Sequence, residues 1–396
     1  MWRLESGGPQ QVLKKSTRMF LLQCYQRCSG LHGPFNQLSL HSAMFTIDLH
    51  LDLSMNAMEW NRDLRLSVDD INAREQGKAD LAGRGNAMVS FPALREGGVG
   101  LVVATQIARY VAPGNPLPGW HSPEQAWAHT QGQLAWYRAM EDAGELVQVT
   151  DRRGLEALVS AVGDPPSRSI GYILSLEGAD SLVDLSNLDM AVEYGLRALG
   201  PAHYGPGRYA NGTDATGKMG KKGVDLLKAM DAYKLILDMT HLCDDAFWQA
   251  IDLYRGPVWA SHQNCRALVP HNRQFDDEQF KVLISRNAVI GTAMDAWMIV
   301  PGWVRGKSTP ADMHCGLRQW VDHIDHVCQL AGNSRHACVG TDLDGGFGRE
   351  QAPHDMESIA GLRRLPELLA ERGYAEEDID NIRWKNACRF LQEALP

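Results

Sequence analysis

Seven residues able to bind metal or move protons sit where apolar runs end: His50 with Asp52, Glu177, His203, His241, His262 and Asp342. The first pair closes the stretch M-F-T-I-D-L-H-L-D, residues 44–52. Alternate side chains of an extended chain share a face, so His50 and Asp52 can present one nitrogen and one oxygen donor together. Alone, such a triplet reads first as a hydrogen-bonded His–Asp pair at a strand end. The set as a whole points to metal-assisted hydrolysis. His50, Asp52, Glu177, His241 and His262 are more donors than one tetrahedral ion needs, and they divide into two metal sites with a carboxylate able to bridge. Two adjacent ions can share a hydroxide and make it nucleophilic near neutral pH. Mixed imidazole and carboxylate donors suit zinc, with manganese and iron as the other candidates.

For these residues to meet, the chain must bring distant segments to one place. Eight apolar runs are spaced along it: 44–52, 97–108, and those ending at Glu177, His203, His241, His262, Met294 and Asp342. Helical patterns separate most of them, including Trp120–Asp142 with Ser122-Pro at its start, Asp244–Tyr254, Asp276–Arg286 and Ala311–Leu330. Alternation of this kind predicts an α/β fold, a (β/α)8 TIM-type barrel. It carries a helical insertion after the first strand, opening near Ser67, and extra helices over Ser358–Leu395. C-terminal strand ends of such a barrel converge on one mouth, and six of the eight runs end in a chemically useful side chain. Residues 44–396 read as one catalytic domain and residues 1–43 as an N-terminal arm, with Met44 an alternative start.

Composition narrows the setting. The 396 residues are 44% hydrophobic and 22% charged, with a formal net charge of −9 and basic residues spread along the chain, so nucleic acid is not an expected partner. No apolar run is long enough to span a membrane, and no cleavage signal follows the short M-F-L-L patch after Arg18. Eight cysteines without a C-x-x-C pair predict buried thiols in a reduced, cytoplasmic protein. Lys218, Lys221 and Lys222 read as a solvated face, and Trp297 and Trp303 as packing rather than pocket walls.

D-L-H-L-D, F-P-A-L-R-E-G-G-V-G, S-L-E-G-A-D, D-M-T-H, A-S-H, H-N-R-Q-F-D-D, H-I-D-H-V and G-T-D-L-D-G occur in one order. In these motifs the sequence resembles the membrane (renal) dipeptidase family of zinc metallopeptidases, within the amidohydrolase superfamily. The resemblance implies that His50 and Asp52 bind a first zinc, that Glu177 bridges, and that His241 and His262 hold a second. It implies that His203 polarises the scissile carbonyl and that Arg273 holds the substrate's terminal carboxylate. Asp342 would shuttle a proton, with Asp344 as its rival, while Asp48 is a supporting carboxylate. The expected substrate is a dipeptide and the expected assembly a homodimer. Tyr204, K-M-G-K-K-G and W-K-N depart from the family pattern, in loops that shape the pocket. The alternatives are hydrolysis of N-acyl amino acids or lactones on the same barrel, or a non-catalytic metal-binding protein.

Overall fold

Runs of Val, Ile and Leu too short for helices form the parallel strands of a ring. A computed structural model describes residues 45–161 and 169–396, so the expected arm lies outside the described residues. The strands are β1 (Thr46–Leu51), β2 (Val99–Ile107), β3 (Leu146–Gln148), β4 (Ile170–Glu177), β5 (Leu196–Gly200), β6 (Ile236–Asp238), β7 (Val258–Trp259), β8 (Ile290–Thr292) and β9 (Ala337–Val339). They pair in the order β7-β6-β5-β4-β2-β1-β9-β8, all parallel. A parallel bridge between Ala260 and Ile290 joins the two ends of this order. Eight strands thus make the (β/α)8 barrel. The three-residue β3 pairs with β4 outside the ring and was not expected from the sequence.

One core cluster takes apolar residues from or beside every ring strand: Ile47, Leu49, Leu101, Val103, Ile173, Ala198, Ile236, Trp259, Val289 and Cys338. It fills the barrel and continues into Ala387, Cys388, Phe390 and Leu391 of the C-terminal helix Asn386–Ala394. Glycine allows the strand ends to close tightly in one place. A Cβ on Gly291 or Gly340 would lie 2.0 or 1.9 Å from the Ser261 carbonyl oxygen, so only glycine lets β8 and β9 approach the residue before His262.

The surrounding helices start where capping chemistry places them. Ser67 accepts from Asp70 N and Ser122 from Gln125 N, with Pro123 in the first turn. Asp276 and Gln279 form a reciprocal capping box. One expected boundary is corrected. The helix predicted from Ala311 begins at Leu317, because His314 takes a left-handed φ of 50° and Gly316 an extended one, which leaves residues 310–314 as turns. Among the described residues, no helix is long and apolar enough to cross a membrane.

Candidate active site

Every strand of the ring delivers a polar side chain to one mouth. His50 and Asp52 come from the end of β1, and Glu177 is the last residue of β4. His203, His241, His262 and Asp342 each lie three residues beyond their strands, β5, β6, β7 and β9. The remaining two strands contribute residues that sequence reasoning missed: Arg109 just past β2 and Asp295 just past β8, both lining the same pocket. Their signal was present. The apolar run at 97–108 stops one residue before Arg109, and that at 287–294 one residue before Asp295.

Glu177 is the hinge of the arrangement. Its Oε2 lies 3.6 Å from His50 Nε2, while its Oε1 lies 3.3 Å from His241 Nε2 and 3.4 Å from His262 Nε2. His50 Nε2 is also 3.8 Å from Asp52 Oδ2 and 3.7 Å from Asp342 Oδ1. Three donor groups are therefore close enough to hold a cation: His50–Asp52–Glu177, Glu177–His241–His262 and His50–His262–Asp342. Whether these residues suit a metal can be tested on His50 Nε2. It is buried with no hydrogen-bond partner, though three carboxylates face it, as expected of a nitrogen left for a cation, where an ion would take the place of a proton. The outer nitrogens are held by hydroxyls: Thr213 Oγ1 lies 3.0 Å from His241 Nδ1, and Ser261 Oγ 2.8 Å from His262 Nδ1. The residues fit a metal.

Electrostatics distinguish the members. Burial alone would lower His50, but the charges of Glu177, Asp52 and Asp342 overcome it and push the imidazole up to about 10. Burial pushes His241 and His262 well below the usual histidine range. Burial lifts Glu177 to about 7 against the charge of His50, and lifts Asp342 well above the carboxylate range. His241 and Asp342 adopt left-handed backbone, φ 68° and 56°, a conformation non-glycine residues keep only where their surroundings hold it.

A family model described as Membrane dipeptidase (Peptidase family M19) matches residues 36–395. The chain belongs to this family. Among relatives, a protein of Klebsiella pneumoniae described as uncharacterized, in the pqqA 5' region, is 28% identical over 233 residues, 56% of this chain and 82% of that protein. Dipeptidase tcpJ of Claviceps purpurea is 25% identical over 234 residues, 56% of this chain, and the match spans only about half (51%) of its length. Among solved structures, a metallo peptidase from Rhodobacter sphaeroides, liganded with a phosphinate mimic of the dipeptide L-Ala-D-Ala, superposes with a TM-score of 0.72 at 21% identity. The superposition covers 90% of this chain and 100% of that one. The probable dipeptidase PvdM from Pseudomonas aeruginosa gives a TM-score of 0.69 at 17% identity, over 90% and 96% of the two chains. These likenesses show the fold.

In this M19 metallohydrolase the other expected residues fall as follows. Arg273 is buried at the pocket and donates to Gln263 Oε1 (2.7 Å) and the His262 carbonyl (2.9 Å). Asp344 turns away from the pocket: its carboxylate accepts from Met88 N and Val89 N and lies 3.4 Å from Arg62 Nη1. Asp48 does not join the cluster either. It accepts from Thr341 N, Thr341 Oγ1 and His50 N, tying the exit of β1 to that of β9. Lys218, Lys221 and Lys222 are exposed and outside the pocket. Trp297 packs behind it, its indole N–H donating 2.6 Å to Asp295. The pocket holds about 340 Å³, room for a small ligand.

Proposed function

We propose that this chain is a binuclear metal-dependent dipeptidase that hydrolyses the amide bond of a dipeptide. The observation that carries the reading is the division of Glu177, one oxygen toward His50 and the other toward His241 and His262, on the floor of a small pocket. His50 and Asp52 would hold one ion, His241 and His262 the other, and Glu177 both, with zinc the expected metal. When bound, the ions supply a water-derived hydroxide nucleophile at neutral pH and polarise the scissile carbonyl.

The chain's own residues do the rest. Arg273, already held by Gln263 and the His262 carbonyl, offers its remaining N–H donors to the substrate carboxylate, which restricts the site to short substrates. His203 stands at the pocket edge, its Nε2 3.9 Å from Glu177 Oε1, and stabilises charge developing on the carbonyl oxygen. Asp342 faces the cluster, and burial makes its carboxylate a readier proton acceptor. It takes the proton of the attacking water and passes it to the leaving amine. A homodimer and a cytoplasmic location belong to the same proposal, the latter supported by six buried free thiols among the described residues.

The test is a panel of L-L and L-D dipeptides offered to zinc-loaded protein, with N-acyl amino acids and lactones as controls. Turnover of dipeptides, lost on chelation and restored by zinc, is expected. Turnover of the controls alone would move the assignment to another amidohydrolase chemistry.

A further inference from the structure

Arg109 has no role in any reading of the motifs, yet it lines the pocket and meets His203 there. Its Nη2 meets His203 Nδ1 in a short hydrogen bond, and its Nη1 donates to the Pro118 carbonyl at 3.1 Å. The chain around it is closed like a clasp: Trp120 N donates to the Arg109 carbonyl (2.7 Å) and Val111 N to that of Trp120 (2.9 Å). Gly119 sits in the neck of the clasp, where a Cβ would come within 2.8 Å of the Arg109 carbonyl oxygen. Leu117 and Pro118 of the same loop line the pocket.

The chemistry of this contact has one solution. A guanidinium carries only N–H donors and stays charged, so it cannot accept a hydrogen bond. His203 Nδ1 must be the acceptor and hold a lone pair, and in a neutral ring the proton then resides on Nε2. Nε2 is the atom nearer Glu177. A proton on Nδ1 would break the contact and leave Nε2 a bare lone pair, unable to donate.

We propose that Arg109 is a positioning residue: it fixes His203 as the Nε2–H tautomer and aims that donor at the scissile carbonyl oxygen. This rests on the role given to His203 above. Donation of a charged N–H into the far side of the ring also polarises it, which strengthens Nε2–H as a donor.

The experiment compares Arg109→Met and Arg109→Lys, in zinc-replete protein, with and without His203→Ala. Arg109→Met should lower kcat about 10- to 100-fold, the scale for a group that orients another, with KM within about twofold. Arg109→Lys should recover part of the loss, and added methylguanidinium should partly rescue Arg109→Met. In the His203→Ala background the same change should cost little, because the two act as one unit. In parallel, 15N chemical shifts of labelled histidine read the tautomer directly: Nε2–H in the parent and a mixture in Arg109→Met. A rise in KM with unchanged kcat, or an equal loss with and without His203, would overturn the proposal in favour of direct substrate contact. So would a His203 tautomer unchanged by Arg109→Met. If His203→Ala alone leaves turnover intact, the role of His203 fails, while the tautomer measurement still decides that of Arg109.

Discussion

The two oxygens of Glu177 face unlike surroundings. On one side stands His50, ringed by Asp52, Asp342 and Glu177 itself; on the other stand His241 and His262, whose group with Glu177 holds no second carboxylate, although His262 also shares a group with His50 and Asp342. The first half is rich in negative charge, and its imidazole is pushed up to about 10. The second is rich in imidazole, and burial drives its rings well below the histidine range. Similar ligand counts therefore produce different sites. In the proposed two-ion site the carboxylate half would attract a cation through its field, leaving Asp342 at its edge for protons. The imidazole half would attract one through neutral lone pairs, which Thr213 and Ser261 orient from behind.

The strongest challenge to this contrast is Glu177→Ala, which removes the group the halves share. Turnover should fall to background and metal content should drop at both sites, measured by elemental analysis of dialysed protein. Full retention of either ion would show that the halves do not depend on a common carboxylate. Asp342→Asn should have the next largest effect: metal content kept, and turnover of the best dipeptide lowered about 100- to 10,000-fold, the range for a lost acid–base group. Loss of an ion instead would make Asp342 a ligand of the carboxylate half. The smallest effect separates the halves most cleanly. Thr213→Val should weaken metal binding about 10-fold at the imidazole half and leave the other unchanged, read by competition with a chromogenic chelator.

Much of this was legible in the sequence, for a physical reason. Barrel strands are buried on both faces and stand out as apolar runs, so their ends can be counted and the polar residues there gathered. What lies one residue further is harder to assign. Arg109 and Asp295 reach the mouth from positions just outside their runs, since no periodicity tells how far past a strand a side chain still faces inward. Asp342 and Asp344 pose the same difficulty. They stand two residues apart with similar left-handed backbone, φ 56° and 62°, yet one faces His50 and the other is bound by Met88, Val89 and Arg62. Only the contacts distinguish them. β3 is too short, at three residues, to carry a period of its own.

The closure of the ring has a consequence for how the molecule breathes. β2 and β4 pair through an unbroken register from Leu101–Gly171 to Ile107–Glu177, whereas β7 pairs with β6 at two positions and meets β8 through the single bridge at Ala260. β1 and β9 also pair at a single position, Asp48–Val339, but there Asp48 accepts from Thr341 N and Oγ1, so amides at the β7–β8 seam are the first expected to exchange with solvent. His262, two residues past Ala260, stands on the β7 side of the seam, and it shares a donor group with His50 of β1 and Asp342 past β9 on the other side. A ligand held between them would act as a latch across the seam, coupling the occupancy of the site to the lifetime of the closed barrel.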